Sequence, residues 1–502
     1  MEFSNRQQIQ IGAVLSYVGI AIYILVGLLY TPWMIHTIGK DDFGLYTLAN
    51  SIIALFVFDF GISTAIQRFV AKYLAESNSD KVNNCISIVS KLYIYIDVII
   101  LITLIFIYIF IPTIYRELTT IQIERLKIVF LIASGFSVIS FPFIPINGIL
   151  SAHEKFIQLK SCDLLSKVLS VSANVTCLYL GGGLYSLVIS NVVVGIIFII
   201  VKYIVVKRET NIELAFHYHD KTEMLKILSF SGWTTVVSIC QRCIFNIAPS
   251  IIGLFAGAGI IAVFGIAITL EQYTYTFAFA LNGLFLPKIS RIINNGESVL
   301  PLMIKVGRIQ IFLIGILIIG FIVVGRDFII IWLGDGFEEA YICSLLIILP
   351  GFLLLPADVA DQTLIASGNV RYRAYVYIVM ALFNIAMSLV LTYIYSIKGL
   401  ALSIFLSYII RNFSLYYVYY KILDINIFRF FNESFLKMSF GLIMSLLCSS
   451  LLCTLIPYHG WALVFSKAIV VIITYLVIMF VLALNKEEKK LMFSVLGKIR
   501  VL

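Results

Sequence analysis

The chain has 502 residues, of which 61% are hydrophobic and 13% charged, and its mean hydropathy is +1.03. Soluble domains use about 45–50% apolar residues, so the composition excludes a soluble protein and predicts an all-α polytopic membrane protein. The net charge is +9, and most lysines and arginines fall in loops on one side of the predicted spans. That asymmetry is a topology signal, so no nucleic acid is expected as a partner.

About fourteen segments are apolar and long enough to cross a bilayer, which takes about 20 residues at 1.5 Å each. An even number of spans places both termini on one side, and the basic loops make that side cytoplasmic. In chain order, the predicted spans cover about residues 11–34, 43–70, 86–111, 126–152, 161–180, 184–206, 227–255, 259–286, 302–325, 341–367, 374–395, 400–420, 438–457 and 461–484.

Three short matches indicate an internal repeat. Leu15 recurs as Leu228, Pro142 as Pro356 and Gly183 as Gly399, at offsets of 213, 214 and 216 residues. An even number of spans in each repeat predicts parallel halves related by an axis along the membrane normal. The predicted domains are therefore two pseudo-symmetric six-helix bundles, residues 1–210 and 211–420, and an additional helix pair with a cytoplasmic tail, residues 421–502.

Span two carries a carboxylate at membrane depth. Asp59 lies about 16 residues, or roughly 24 Å, from the outer end of its predicted helix. A charge there costs a few kcal/mol, so it normally faces a bundle interior or a hydrated cavity. Two interpretations stay open for Asp59 and the nearby Arg68: a charge cluster that holds the cytoplasmic gate shut, and direct contact with substrate.

Span seven carries an arginine too deep for its side chain to reach the membrane surface. Arg242 lies about 15 residues, or roughly 22 Å, from the cytoplasmic start of its span. It requires either a partner carboxylate, for which Glu271 in span eight is the candidate, or a cavity that receives anions. Its planar guanidinium suits a diphosphate. The polar neighbours that would complete such a cavity are Gln241, Asn246, Tyr273 and Tyr275.

Two further pairs of charges lie within spans. Asp358 and Asp361 share one face of span ten beside Pro356, which predicts either a proton or cation site or a carboxylate pair hydrogen-bonded to the kinked backbone. Asp163 and Lys167, four residues apart in span five, are predicted to neutralise each other.

No cofactor or metal site is expected. Cys240 and Cys243 have the CxxC spacing, but they lie inside a span without a second cluster of cysteines or histidines. His217 and His219 flank one residue in a charged loop, where such a pair is usually solvated. The chain also shows no nucleophile–base constellation and only short outer segments, so an enzyme is not expected.

Four segments together resemble the polysaccharide transporter family. They are LSYVG in the first span, IGKDDFGLY before the second, FDFGISTAIQRFVAKY at its end and PINGILSAHEKF at the end of the fourth. The resemblance covers about the first 420 residues. It is to the lipid-linked oligosaccharide (O-antigen) flippases of the Wzx type, within the multidrug/oligosaccharidyl-lipid/polysaccharide (MOP) exporter superfamily, and it implies two six-helix lobes around a central cavity.

The resemblance also implies a function and partners. A flippase of this kind moves a polyprenyl-diphosphate-linked oligosaccharide outward across a bacterial cytoplasmic (inner) membrane by alternating access. Membrane lipid, a coupling H⁺ or Na⁺, and polysaccharide polymerase or assembly proteins are the implied partners. In lipid-precursor flippases of the superfamily an added helix pair forms a groove for the lipid tail, the role implied for residues 421–502. The alternative is a cation-coupled multidrug antiporter of the MATE type, whose cavity would be apolar and acidic.

Overall fold

The computed structural model describes residues 5–210, 221–279 and 286–490, and all regular secondary structure in them is helical. The predicted all-α membrane class is confirmed. The α-helices are α1 (Asn5–Ile38), α2 (Lys40–Phe56), α3 (Ile62–Ala75), α4 (Ser79–Ile114), α5 (Thr120–Ser140), α6 (Pro145–Ala152), α7 (Phe156–Tyr179), α8 (Leu184–Glu209), α9 (Lys221–Phe245), α10 (Ala248–Phe255), α11 (Ala258–Phe279), α12 (Leu286–Asn294), α13 (Leu300–Leu333), α14 (Glu339–Ile348), α15 (Gly351–Leu354), α16 (Asp358–Ala366), α17 (Val370–Leu423), α18 (Ile427–Phe431), α19 (Lys437–Thr454) and α20 (Trp461–Leu482). Short 3-10 turns cover Phe141–Phe143 and Leu355–Ala357, and a π turn covers Asn432–Leu436.

Eleven helical segments of the described residues are long and apolar enough to cross a membrane. They account for twelve of the fourteen predicted spans, because α17 contains both the eleventh and the twelfth. Ser396, between those two spans, has φ 52° and ψ −137° and separates two helices. The remaining predictions are span two, which is divided between α2 and α3, and span five, which corresponds to α7. The chain is thus a multi-pass membrane protein.

Prolines interrupt two of the spans. In span four, Pro142 and Pro145 separate α5 from α6 through a 3-10 turn, which confirms the predicted kink. In span ten, Pro350 and Pro356 divide α14, α15 and α16 in the same way. Proline lacks the N–H donor and its ring clashes with the preceding turn, so a regular helix cannot continue. Pro142 and Pro356 are partners in the predicted repeat, so both halves are interrupted at matching places.

The chain forms two compact units. Unit 1 comprises Met1–Gly265 and Tyr377–Leu400, and unit 2 comprises Ile266–Val376 and Ala401–Leu502. The domain boundaries at residues 210 and 420, and the rotation that relates the two halves, stay predictions.

Within unit 1, α7 packs against α1 and α8, and α3 packs against α6. The second pair approaches closely because Gly148 has no side chain. A Cβ at this position would lie 2.8 Å from the carbonyl oxygen of Ser63 on α3. The interrupted spans two and four therefore meet backbone to backbone.

Within unit 2, the C-terminal helix pair α19 and α20 packs against α13. Gly315 on α13 leaves the space that Tyr475 of α20 occupies, since a Cβ there would lie 2.6 Å from the Tyr475 hydroxyl. That hydroxyl is buried and donates to the carbonyl oxygen of Phe312 at 2.7 Å. The tyrosine fixes the register of the pair on α13.

Two ion pairs join α13 to α20 and to the segment that follows α20. Arg308 donates through Nε and Nη2 to the two carboxylate oxygens of Glu488, at 2.6 and 2.9 Å, and both side chains are buried. Lys467 on α20 lies 2.6 Å from the Asp327 carboxylate. Because Arg308 and Asp327 are 19 residues apart on α13, the contacts are about 28 Å apart.

We expect a cysteine introduced at Asp41 to react with a membrane-impermeant maleimide on intact cells, because the charge asymmetry puts the loop before span two outside. The Asp41 side chain is exposed. A cysteine at the exposed Glu487, on the predicted cytoplasmic side, is the control and should react only after permeabilisation. The unsubstituted protein gives the background of the eight native thiols. Labelling at Glu487 with protection at Asp41 would reverse the topology.

Candidate functional site

Span two is interrupted at Asp59, so the continuous helix predicted over residues 43–70 is wrong. Between α2 and α3, Gly61 has φ 69°, a left-handed conformation that favours glycine. The interruption leaves backbone N–H groups within the membrane that need acceptors. Asp59 Oδ1 accepts from the Ser63 N–H at 3.0 Å and caps α3, and it also accepts from the Tyr93 hydroxyl of α4 at 2.6 Å.

Arg242 contacts the other side of this interruption. Its Nη1 donates to the Ala54 carbonyl oxygen, in the last turn of α2, at 2.7 Å. Its guanidinium lies over the Phe58 ring, with Cζ 4.7 Å from the centroid. On the same helix, Thr235 donates to the carbonyl oxygen of Phe60. Helix α9 therefore holds both the end of α2 and the turn that follows it.

The hydrogen bond to Ala54 leaves Arg242 with unused donors. A guanidinium carries five N–H groups, and among the described residues of unit 1 one of them has an acceptor. No described carboxylate of unit 1 lies within ion-pair distance of Arg242, and the side chain is half-buried. The geometry therefore provides a fixed cation at an interrupted helix, with donors that have no acceptor among the described residues of unit 1. Anion binding at this cation stays a prediction.

The Asp59 cap can be tested with two substitutions. We expect Asp59→Asn to keep the stability of the folded protein within about 0.5 kcal/mol, because the amide oxygen can still accept from Ser63 and Tyr93. Asp59→Ala removes the acceptor and should cost about 1–2 kcal/mol, the usual loss of a helix cap. Thermal unfolding of the purified protein in detergent measures both. Equal losses in the two variants would show that the charge, and not the cap, stabilises the interruption.

The other predicted site residues divide between the units. Gln241 donates to the Tyr377 hydroxyl at 3.4 Å, and Asn246 ends α9 beside Arg242. Arg68 is exposed on α3. These three lie in unit 1 with Asp59. Glu271 and Tyr273 are buried on α11 in the part that belongs to unit 2, so their place in a common site with Arg242 stays a prediction.

The acidic pair of span ten has a cationic partner that was not foreseen. Asp361 is buried, and its Oδ1 lies 3.0 Å from Nε of Arg373 and 3.5 Å from the Tyr419 hydroxyl. Asp358 is partly buried. A proton or cation site at this pair stays a prediction, and it would have to form beside an arginine. The described residues hold no group of three or more metal-type ligands, and His217 and His219 lie outside the described residues.

The predicted pairing of Asp163 with Lys167 is wrong. Asp163 pairs with Lys202 of α8 at 2.8 Å and with Lys160 at 3.8 Å. Lys167 instead lies over the ring of Tyr23 on α1, with Nζ 4.9 Å from the centroid. Spacing along one helix cannot reveal a stronger partner on a neighbouring helix, and Lys202 takes the carboxylate.

A second deep arginine, Arg411, was missed. It lies about 11 residues into the twelfth span, so the depth estimate that selected Arg242 applies to it as well. It is 1% exposed, its Nη2 donates to the Asn412 side-chain oxygen at 2.8 Å, and Cζ lies 4.3 Å from the Tyr408 ring centroid. Asn412 in turn donates to the Pro350 carbonyl oxygen at 3.1 Å, at the interruption of span ten. Arg411 is therefore part of a packed, buried cluster.

An apolar groove of about 560 Å³ opens where α15, α18 and α19 meet in unit 2. Phenylalanine side chains dominate its walls, and the described lining contains no charged residue. The lining residues are Phe352, Phe428, Phe431, Asn432, Phe435, Leu436, Ser439, Leu442 and Ile443.

Solved structures of similar fold are transporters and a flippase of the MOP superfamily. A lipid II flippase, MurJ, in an inward-closed conformation has a TM-score of 0.68 at 15% identity, covering 93% of this chain and 98% of its own. An inward-facing multidrug resistance MATE transporter has a TM-score of 0.60 at 14% identity, covering 80% and 96%. A MOP superfamily transporter from Pyrococcus furiosus, described as having a binding pocket of reverse polarity that suggests a different function, has a TM-score of 0.57 at 13% identity, covering 82% and 94%.

Sequence comparison places the chain in a family. A comparison with curated proteins finds no match. The profile of the family described as polysaccharide biosynthesis protein matches residues 37–342, which include both sides of the span-two interruption and Arg242. The match covers more than half of the chain, so this chain belongs to the polysaccharide biosynthesis protein family.

Proposed function

We propose that this protein moves a polyprenyl-diphosphate-linked oligosaccharide, the repeat unit of a polysaccharide or O-antigen, outward across the cytoplasmic membrane by alternating access. The family is one of polysaccharide biosynthesis, and one neighbour in fold is a flippase for another lipid-linked precursor. Both of these support a lipid-linked sugar as substrate.

The observation that carries the proposal is the lack of a carboxylate partner for Arg242 in the described part of unit 1. This arginine lies at membrane depth without that partner. It therefore needs an anion for part of the transport cycle. The diphosphate of a polyprenyl carrier presents several oxygens, and a guanidinium can donate to two of them in parallel. Phe58 and Ala54 hold the group in one orientation, so less entropy is lost when the substrate binds.

The apolar groove supports the lipid part of the same substrate. It is built by α19 of the C-terminal helix pair together with α15, α18 and the π turn, and mainly aromatic and aliphatic side chains line it. Burial of apolar surface away from water stabilises a complex by about 25 cal/mol for each Å². Inside a bilayer the polyprenyl chain is already out of water, so its binding depends on how well its shape fits the groove. A groove of about 560 Å³ has room for several isoprene units.

A multidrug antiporter fits the site less well. Such a transporter binds cations, and the deep side chain of Arg242 would repel them. The acidic pair of span ten is also partly neutralised, since Arg373 lies beside Asp361. Coupling to H⁺ or Na⁺ and contact with polymerase or assembly proteins remain parts of the proposal.

A direct test compares two substrates in one preparation. The purified protein is placed in liposomes that contain either a fluorescent polyprenyl-diphosphate-linked oligosaccharide or an encapsulated cationic dye. We expect protein-dependent movement of the lipid-linked sugar between leaflets, measured by quenching from the outside, and no transport of the dye. Dye transport without movement of the lipid-linked sugar would replace the flippase by the antiporter.

A further inference from the structure

Lys167 is a charge at the middle of α7, the helix that corresponds to predicted span five. It lies 11 residues after the start of α7 and 12 residues before its end, so about 17 Å of helix extend on either side. The hydrocarbon core is about 30 Å thick, which leaves a lysine at this level far from both surfaces. A charged side chain within a transmembrane segment raises the free energy of insertion, and such residues usually belong to a functional site.

Lys167 lies on the face of α7 that carries buried side chains. Each helical residue turns by about 100°, so Lys167 and the buried Asn174 lie within about 20° on α7. The exposed leucines Leu165 and Leu169, at 58% and 43% exposure, lie about 160° from Lys167 around the helix, on the opposite face. Lys167 is exposed nevertheless. Exposure on the inward face of a helix marks an open space within the bundle.

The described surroundings of this space are polar, and their nearest carboxylate, Asp163 one turn before Lys167, is already paired with Lys202 and Lys160. The Lys167 ammonium lies over Tyr23, and two turns further along the same two helices come Asn174 and Tyr30. The Asn174 amide donates to Asn191 of α8 at 3.1 Å. Among the described residues of unit 1, no carboxylate lies within ion-pair distance of Lys167, because Asp163 is held by Lys202. Amide and phenol groups make the seam between α1 and α7 wettable, and the described part of unit 1 supplies no carboxylate to neutralise the ammonium.

We propose that Lys167 binds an anionic oxygen of the transported substrate, as a second contact point besides Arg242. The inference rests on the proposed function. An ammonium is a compact point charge with three donors and does not require the planar, paired oxygens that suit an arginine. It can therefore take one oxygen of the carrier diphosphate or the carboxylate of an acidic sugar. The face of Tyr23 stabilises the cation while the site is empty.

The test uses binding to the purified full-length protein in lipid nanodiscs. The two probes are farnesyl diphosphate, which has the diphosphate without sugar, and glucuronate, which has the carboxylate without lipid. Lys167→Met keeps the length of the side chain and removes the charge, and Lys167→Arg keeps the charge. The matched control is Lys160→Met, because Lys160 lies two turns away on the same face of α7 but has Asp163 at 3.8 Å.

We expect Lys167→Met to weaken the binding of one probe by about tenfold or more, the loss of a charge-assisted hydrogen bond, while Lys167→Arg and Lys160→Met stay within about threefold of the wild type. A loss for farnesyl diphosphate identifies the diphosphate as the anion, and a loss for glucuronate identifies an acidic sugar. Equal binding of both probes by Lys167→Met and wild type overturns the inference, as does a wild type that binds neither.

The proposed function is judged separately in the same experiment. Arg242→Ala should lose affinity for farnesyl diphosphate. If it binds this probe like the wild type while Lys167→Met does not, the role of Arg242 fails and that of Lys167 stands. Thermal unfolding of each variant shows that the protein is folded, and restored binding in Lys167→Arg rules out a folding defect at this position.

Discussion

Replacement of Arg242 by alanine is expected to remove nearly all transport of the lipid-linked oligosaccharide while the protein still reaches the membrane. A bidentate, charge-assisted contact to a diphosphate contributes about 3 kcal/mol, which corresponds to about a hundredfold in affinity. Arg242→Lys should lose much of the activity as well, because an ammonium cannot present two parallel N–H groups to the diphosphate as the planar guanidinium does. Complementation of a bacterium that lacks its own flippase, with a defined sugar-lipid donor pathway, measures the effect.

The control for this experiment is Arg116→Ala. Arg116 also donates to a backbone carbonyl oxygen, that of Thr113 at 3.1 Å, but it is exposed at the end of α4. Arg116→Ala should leave both the transport activity and the membrane abundance of the protein unchanged. Membrane abundance of each variant is measured by immunoblot. A well-expressed Arg242→Ala protein with normal transport would end the substrate role, and a variant lost from the membrane would show that the arginine serves only the interruption of span two.

Arg308→Ala should lower the free energy of unfolding by about 3–5 kcal/mol, the cost of leaving a buried charge without its partner. The Glu488 carboxylate would lose both of its hydrogen bonds from the guanidinium, and the carbonyl oxygens of Glu433 and Ala483 would lose their donors. A loss of this size exceeds a third of the stability of many proteins, so membrane abundance should fall. Thermal unfolding in detergent gives the direct comparison.

A neighbouring pair supplies the matched control. Lys305 lies one turn before Arg308 and pairs with Glu487 at 3.3 Å, but both side chains are exposed. Lys305→Ala should therefore change stability by less than about 1 kcal/mol. The double variant Arg308→Met with Glu488→Leu should regain most of the loss, because well-packed apolar side chains can replace a buried ion pair. If Arg308→Ala is as stable as Lys305→Ala, the pair does not hold the C-terminal helices.

The membrane class and most spans could be predicted because hydropathy is a sum over about 20 residues, so single exceptions do not change it. The kink of span four followed from Pro142 and Pro145, which act on their own backbone. The depth of Arg242 followed from counting residues. These are local properties, and each is decided by the segment that shows it.

Properties that depend on neighbouring helices could not be predicted. The interruption at Asp59 contains no proline. Thr235 and Arg242 donate to its backbone carbonyl oxygens and Tyr93 donates to the Asp59 carboxylate, and all three come from other helices. The pairing of Asp163 was mistaken for the same reason, since Lys202 is distant in sequence. Arg411 is a different failure, because the counting rule that selected Arg242 would have found it.

The way α13 receives the C-terminal helices determines how this protein can be recombined with shorter relatives. The space above Gly315, filled by Tyr475, and the contacts to Glu488 and Lys467 belong to one interlocking block of three helices. A chimera that lacks the residues after 420 would expose the space at Gly315 to acyl chains and leave Arg308 without Glu488. A partner that lacks this helix pair would therefore have to contribute its own counterpart of α13, and functional exchange should succeed only when α13, α19 and α20 are transferred as one block.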